Sequence, residues 1–267
     1  MIATALSVAG SDPSGGAGVQ ADLKTFSALG VYGMAAITAL TAQNTRGVTG
    51  AHVAPPDFVA AQIAAVLEDI RVDAVKIGVV ANTGVAAAVA EALATYRGPV
   101  TLDPVMVAKG GARLLAEDAS ATLASRLLPL ATVVTPNLAE AAALLGAPVA
   151  RDRAAMAEQA RALLDLGAQA VLIKGGHLDG PESPDALVAR DGLIWFEGVR
   201  RVTRNTHGSG CTLSAALAAE LAKGRALAEA VAAAKAYVAG AIAAADRLGV
   251  GSGHGPTHHF HAVWSAP

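Results

Sequence analysis

The residues best suited to chemistry lie in one short run, Asn205-Thr206-His207-Gly208-Ser209-Gly210-Cys211, which ends in the chain's single cysteine. An Ala/Leu-rich helical pattern starts directly after it, at Thr212. Gly-Ser-Gly at a helix start leaves bare backbone N–H groups at the positive end of the helix dipole. Gly208, Ser209 and Gly210 are therefore a candidate anion cradle. The same field draws a thiol toward thiolate, which makes Cys211 a candidate base beside a phosphoryl group. A buried structural cysteine after a tight turn is the competing reading.

Further polar residues follow apolar runs. The first run ends in Gly10-Ser11-Asp12-Pro13-Ser14-Gly15-Gly16-Ala17-Gly18, where glycines permit close backbone approach to a ligand. Its spacing fits neither the dinucleotide fingerprint nor the P-loop, and a plain connecting loop is the favoured reading. Asp22, one turn into the next helix, fits an acid that complements the dipole. Gln43, beside Asn44, carries an amide that both donates and accepts in one plane, as an aminopyrimidine edge requires. A turn-forming pair is favoured by position alone. Asn137 and Glu140 share a face at a helix start, suiting either a water-mediated metal site or an N-cap with its capping box. Asp103, before Pro104, serves a cation or begins a turn. Lys174, before Gly175 and Gly176, suits phosphate neutralisation or is a solvated lysine. His254, His258, His259 and His261 match no zinc spacing and read as a polar tail beside the site.

These residues need a scaffold that gathers strand ends. Short β-branched runs alternate with Ala-rich helical stretches. Strands are predicted at 3–9, 34–42, 74–77, 100–102, 132–135 and 170–173. Helices are predicted at 18–29, 57–70, 82–96, 119–127, 138–145, 154–166, 212–223 and 227–248. Such alternation specifies an α/β fold with a parallel sheet and helices on both faces, and 186–189 with 193–196 reads as an edge hairpin. Ligands of open parallel sheets bind outside the carboxyl ends of strands, where the glycine and polar residues fall. No repeat or linker appears, and one domain over 1–267 is expected.

With 267 residues, 53% hydrophobic, the chain has material for a substantial core. No apolar run reaches the ~18 residues of a membrane span, and the N-terminus lacks a signal-peptide pattern. One cysteine fits a reducing, cytoplasmic setting. A net charge of −2 and 3% aromatics argue against nucleic acid.

Several stretches, in order, resemble the hydroxymethylpyrimidine/phosphomethylpyrimidine kinases of thiamine biosynthesis. They are 9–22, Thr41-Ala42-Gln43-Asn44-Thr45, Asp103-Pro104-Val105-Met106, Thr135-Pro136-Asn137 with Glu140, Lys174-Gly175-Gly176-His177, 207–214 and Gly253-His254-Gly255-Pro256. The likeness covers essentially the whole chain. Ser209 departs from it, since the family usually has Thr there; the hydroxyl is kept. The resemblance implies a ribokinase-like fold, ATP as donor, Mg²⁺ as cofactor and usually a homodimer. It implies two successive phosphorylations, of 4-amino-5-hydroxymethyl-2-methylpyrimidine and then of its monophosphate. By position it implies that Gln43 reads the pyrimidine, with Asp22 and Gly10 in the substrate pocket. Gly208, Ser209 and Gly210, with Asn137, would meet the phosphates, Asp103 and Glu140 the metal. Cys211 would be the base or would orient the hydroxyl, and Lys174 would neutralise the donor phosphates.

Three alternatives stand beside this. A pyridoxal kinase shares the Cys-ended loop and a hydroxymethyl acceptor. An NAD-dependent oxidoreductase lacks its fingerprint here. A non-catalytic pyrimidine-binding module has no need of the Cys211 loop.

Overall fold

The computed structural model describes residues 1–106 and 119–265. Among these residues nine strands form one sheet in the order β3-β2-β1-β4-β5-β6-β7-β8-β9. They are β1 (Thr4–Ser11), β2 (Tyr32–Asn44), β3 (Gly47–Val53), β4 (Ala74–Ile77), β5 (Val100–Leu102), β6 (Val133–Val134), β7 (Ala170–Lys174), β8 (Asp185–Ala189) and β9 (Gly192–Phe196). From β2 to β7 all neighbours are parallel, while β3 and the β8–β9 hairpin cap the two edges antiparallel. The chain leaves β1 toward β2 on one side and returns to β4 on the other. That reversal opens a crevice at the carboxyl end of β1, where ligands of such sheets bind.

Among the described residues eight helices flank the sheet: α1 (Gly18–Ala28), α2 (Pro56–Asp69), α3 (Thr83–Ala92), α4 (Ala119–Thr122), α5 (Leu138–Leu145), α6 (Arg153–Asp165), α7 (Ser209–Ala222) and α8 (Leu227–Ala243). Side chains alternate across each strand, so one strand feeds two cores. Leu6, Val8, Val75 and Ile77 pack toward α2, α3, α5 and α6. Ala5 packs on the opposite face with Phe26 and with Ala215, Ala218 and Ala219 of α7. Leu172 and Leu187 meet Leu213 and Leu217 there too. Every residue of α7 from Thr212 to Leu221 is buried. Its alanines let a central helix lie close on the sheet between α1 and α8, and this sets its first turn at the rim of the crevice.

The parallel α/β sheet expected from the sequence is present, and β4, β5 and α5 fall on their expected residues. The differences are local. Strand β2 runs on through Asn44, so Gln43 and Asn44 pair with Val48 and Gly47 in a hairpin and do not form the turn. Strand β3 was not expected: Gly47–Val53 lacks an apolar alternation, and its pairing with β2 creates it. The expected helix at 119–127 becomes α4 followed by a wide π-type turn, Leu123–Leu127. The expected helix at 227–248 ends at Ala243 and continues as a 3₁₀ turn, Ala245–Leu248. Among the described residues no helix is long and apolar enough to cross a membrane.

Candidate active site

Two glycine-bearing loops meet at the carboxyl rim of the sheet. Gly18 and Gly208 have φ of +57° and +75°, the left-handed region that favours glycine. A β-carbon on Gly208 would collide with the Gly16 carbonyl, and one on Gly16 with the His207 ring. The loop after β1 and the loop before α7 are therefore in backbone contact, which accounts for glycine in both.

Asp12 ties them together. Its Oδ2 accepts from the amides of Gly16 (3.1 Å) and Ala17 (2.8 Å), and His207 Nε2 lies 2.9 Å from it. Its Oδ1 accepts from the Ser14 amide and hydroxyl. Burial alone would raise this carboxyl, but the bonds from His207 and Ser14 outweigh burial and hold it below its ordinary value. The sequence reading missed this pair. The residues are 195 apart, and only their shared setting beside glycine loops hinted at a meeting.

Ala39, Thr41 and Gln43 alternate along β2 and face the same cavity as Gly10. A register shift after Ala42 in the β2–β3 pairing re-aims this strand end. Thr41 Oγ1 donates to the Ser11 carbonyl at 2.8 Å and lies 3.3 Å from Gln43 Oε1. Gln43 Nε2 lies 3.3 Å from His207 Nε2.

Asp103, at the end of β5, accepts from Lys174 Nζ at 2.9 Å and from Ser214 Oγ at 3.2 Å. Glu140 is 3.9 Å from the same Lys174 nitrogen. Asn137 and Glu140 form a reciprocal capping box on α5, as the bland alternative had it, yet both also line the cavity. Burial raises the Glu140 carboxyl to about 7; Lys174 opposes the rise and Asp103 adds to it. Lys174 is thus no solvated lysine: its charge is already engaged by Asp103. The carboxylates Asp103 and Glu140 are hard oxygen donors crowded by like charge. That chemistry suits Mg²⁺, which typically takes one or two carboxylates and completes its shell with water and substrate phosphates. Among the described residues no three His, Cys, Asp or Glu cluster as a metal site.

Cys211 lines the cavity at the start of α7, beside Gly208, Ser209 and Gly210. Its thiol is not drawn toward thiolate as expected. Burial pushes it up to about 11, against the opposing pull of Lys76 and of a hydrogen bond from the Gly18 amide. Asp22 also needs correction. It lies outside the cavity lining and is fully buried, paired with Lys76 at 2.8 Å and accepting from Ser7 Oγ at 2.6 Å. Burial alone would push Lys76 down, but the adjacent Asp22 carboxylate outweighs burial and keeps the ammonium charged. A lysine inside the four-residue apolar strand Ala-Val-Lys-Ile was the overlooked signal of an internal ion pair.

Asp12, Thr41, Gln43, Asp103, Asn137, Glu140, Lys174, His207 and Cys211 border one cavity of about 970 Å³, which extends to Lys235. The C-terminal segment braces residues at or beside its border, Thr45 and His207. His254 N donates to the Thr45 carbonyl, and His207 N to the Gly255 carbonyl. His259 is buried with Nε2 3.2 Å from Thr212 Oγ1, and burial lowers its pKa to about 4. His254 and His259 serve as ties outside the cavity lining.

A sequence model of the family described as phosphomethylpyrimidine kinase matches residues 12–258. The chain belongs to the phosphomethylpyrimidine kinase family. Its relatives include the hydroxymethylpyrimidine/phosphomethylpyrimidine kinase of Rhizobium meliloti, 58% identical, with 99% of each chain covered. The corresponding Escherichia coli enzyme is 57% identical over 97% of this chain and 98% of its own. Among solved structures, an ADP complex of Bacillus subtilis pyridoxal kinase superposes with a TM-score of 0.91 at 38% identity, covering 99% of this chain and 100% of that one. A phosphomethylpyrimidine kinase from Clostridium difficile superposes at 0.79 with 42% identity, covering 89% and 98%. The phosphomethylpyrimidine kinase fold is thus shared with pyridoxal kinases.

Proposed function

We propose that this protein transfers a phosphoryl group from ATP to 4-amino-5-hydroxymethyl-2-methylpyrimidine, and then to the resulting monophosphate, supplying the pyrimidine diphosphate of thiamine biosynthesis. The observation that carries this is one cavity in which the Gln43 amide, the α7 N-terminus with Cys211, and the Asp103–Lys174–Glu140 cluster share a wall. Phosphoryl transfer needs positioning and charge neutralisation more than covalent chemistry, and the cavity offers both.

Gln43 orients the ring. The first-turn amides of α7 lack intrahelical acceptors and meet charge on the transferring group. Cys211 takes or orients the proton of the hydroxymethyl group. Asp103 and Glu140 hold Mg²⁺, which when bound neutralises the donor phosphates; Lys174 adds a fixed cation and keeps Asp103 in place. Pyridoxal is the rival acceptor, favoured by the 0.91 superposition on a pyridoxal kinase. The identities of 58% and 57% to enzymes named for the pyrimidine favour the first reading.

Mass spectrometry of products from ATP·Mg²⁺ with each acceptor decides. Pyrimidine mono- and diphosphate from one protein support the proposal, and pyridoxal phosphate with no pyrimidine product replaces it. The reading extends to a homodimer, which sedimentation of the purified chain tests.

A further inference from the structure

The loop that joins β7 to β8 is built around a single cation. Arg200, in the segment after β9, donates from Nη1 to the Gly176 carbonyl at 2.7 Å and from Nε to the Gly180 carbonyl at 2.8 Å. Its Nη2 donates to the Leu178 carbonyl and, at 3.3 Å, to the Glu182 carbonyl. Four alternate carbonyls of residues 176–182 thus point their negative ends at one guanidinium. Without it those ends would face one another, and the loop has no helix or strand of its own to hold them apart. The main chain adds two ties to the same segment, Arg200 N to the Pro181 carbonyl and Ser183 N to the Gly198 carbonyl, both at 2.8 Å. Arg200 borders the cavity, as do Gly176, His177 and Ser183 of the loop. Its charge also differs from that of its neighbours in the lining. Lys174 faces Asp103 at 2.9 Å and Lys235 faces Asp185 at 2.6 Å, whereas among the described residues Arg200 has no carboxylate partner.

We infer that Arg200 is a positioning residue for the phosphoryl donor: its guanidinium folds residues 176–182 around itself, and the loop so held forms the wall that the donor phosphates meet directly after Lys174. The inference rests on the functional reading above. A guanidinium suits this task and an ammonium does not. Arginine presents five N–H groups in a flat, rigid fork, so it serves several carbonyls at once. The three N–H groups of a lysine diverge from one nitrogen and cannot span four carbonyls. Charge-assisted bonds are the stronger class, so their loss releases the loop as a whole and does not merely loosen one contact. With carbonyls in place of a carboxylate around it, the guanidinium keeps its positive charge at the cavity border. A polyphosphate gains from that field, and a neutral alcohol does not.

The test is steady-state kinetics of wild type, Arg200→Lys and Arg200→Ala with ATP·Mg²⁺ and the hydroxymethylpyrimidine. Cleavage after Glu182 by a Glu-specific protease, read by fragment mass, reports on the loop. Both variants are expected to raise the KM for ATP roughly 10- to 100-fold, the effect of losing bonds to a charged group, and to leave the KM for the alcohol within about twofold. Cleavage tracks the population of the open loop, so it should quicken about tenfold or more in both. Low-millimolar ethylguanidinium, which returns the missing fork, should reverse most of both changes in Arg200→Ala. Ethylammonium, which returns the charge without the fork, should not. An unchanged KM for ATP in both variants overturns the inference, as do equal rises in both KM values. Arg200→Lys with wild-type KM and wild-type cleavage overturns it too, because charge alone would then suffice. Should Arg200→Ala fail to fold, Arg200→Lys decides by the same two readouts. A wild type that phosphorylates pyridoxal and not the pyrimidine overturns the functional reading alone, and the same variants then test the donor role with pyridoxal as the acceptor.

Discussion

Cys211 shows how two opposing fields are resolved by magnitude. The helix start and Lys76 favour thiolate, but burial prevails and holds the thiol near 11. If the group acts as a base, its ionised fraction grows about tenfold per pH unit below that value, so turnover should climb from neutral into alkaline pH. Cys211→Ala is expected to lower kcat about 10²- to 10⁴-fold, flatten that climb and leave ATP binding intact. A pH–rate profile of both proteins checks this, and an alanine variant with wild-type slope refutes the base role. Gln43→Ala should weaken the pyrimidine by on the order of 1–3 kcal/mol while sparing ATP, since ring nitrogens are left unpaired in a dry pocket. Calorimetry with each ligand separates that from a general loss of fold. Both residues were legible only as candidates: a lone cysteine after Gly-Ser-Gly and an amide after an apolar run are local patterns, but position alone favoured a turn for Gln43, and the family resemblance is what assigned it to the ring. The partners that tune them were not readable: Asp12 meets His207, and Lys76 meets Asp22, through tertiary contacts that no window of sequence contains.

Between elements, the Asp22–Lys76 pair joins α1 to β4 beneath the site, with both side chains fully buried. Removing one partner strands the other charge in a low dielectric, whereas removing both trades an ion pair for apolar packing. Lys76→Met alone should cost about 3–5 kcal/mol of unfolding free energy, and Lys76→Met with Asp22→Leu should recover most of it. Urea unfolding of the three proteins tests this; equal losses in the single and double variants would show that packing around the pair, not its charge, is what matters. The same element scale explains what was and was not legible. Strand β4 and helix α5 stand on the expected residues because apolar continuity and a capping box are written locally. Strand β3 exists only because β2 offers an open edge, and its exposed, glycine-containing sequence carries no period of its own.

Across the whole molecule, distant stretches converge on one rim: the loop after β1, the end of β2, the ends of β5 and β7, the start of α7 and the C-terminal segment. Gly253 sits against the β2–β3 turn, where its amide donates to Thr45 Oγ1 at 3.2 Å and a β-carbon would collide with the Thr45 carbonyl. Gly253→Ala should therefore displace the turn that follows Gln43. Overpacking of this kind costs about 1–3 kcal/mol. The expected reading is a KM for the pyrimidine raised roughly 5- to 100-fold with the KM for ATP little changed. Steady-state kinetics in each substrate will show it, and equal increases in both would place the damage elsewhere.

The ties from residues 253–257 to Thr45 and His207 also have a consequence in time. A ribosome delivers the chain from its N-terminus at about 5–20 residues per second, so the Gln43 strand and the Cys211 loop emerge well before the segment that braces them. The sheet can assemble during translation, but Thr45 and His207 gain these ties only after residues 253–257 have emerged. A chain stopped before them would hold the sheet and lack the brace on the β2–β3 turn and on His207.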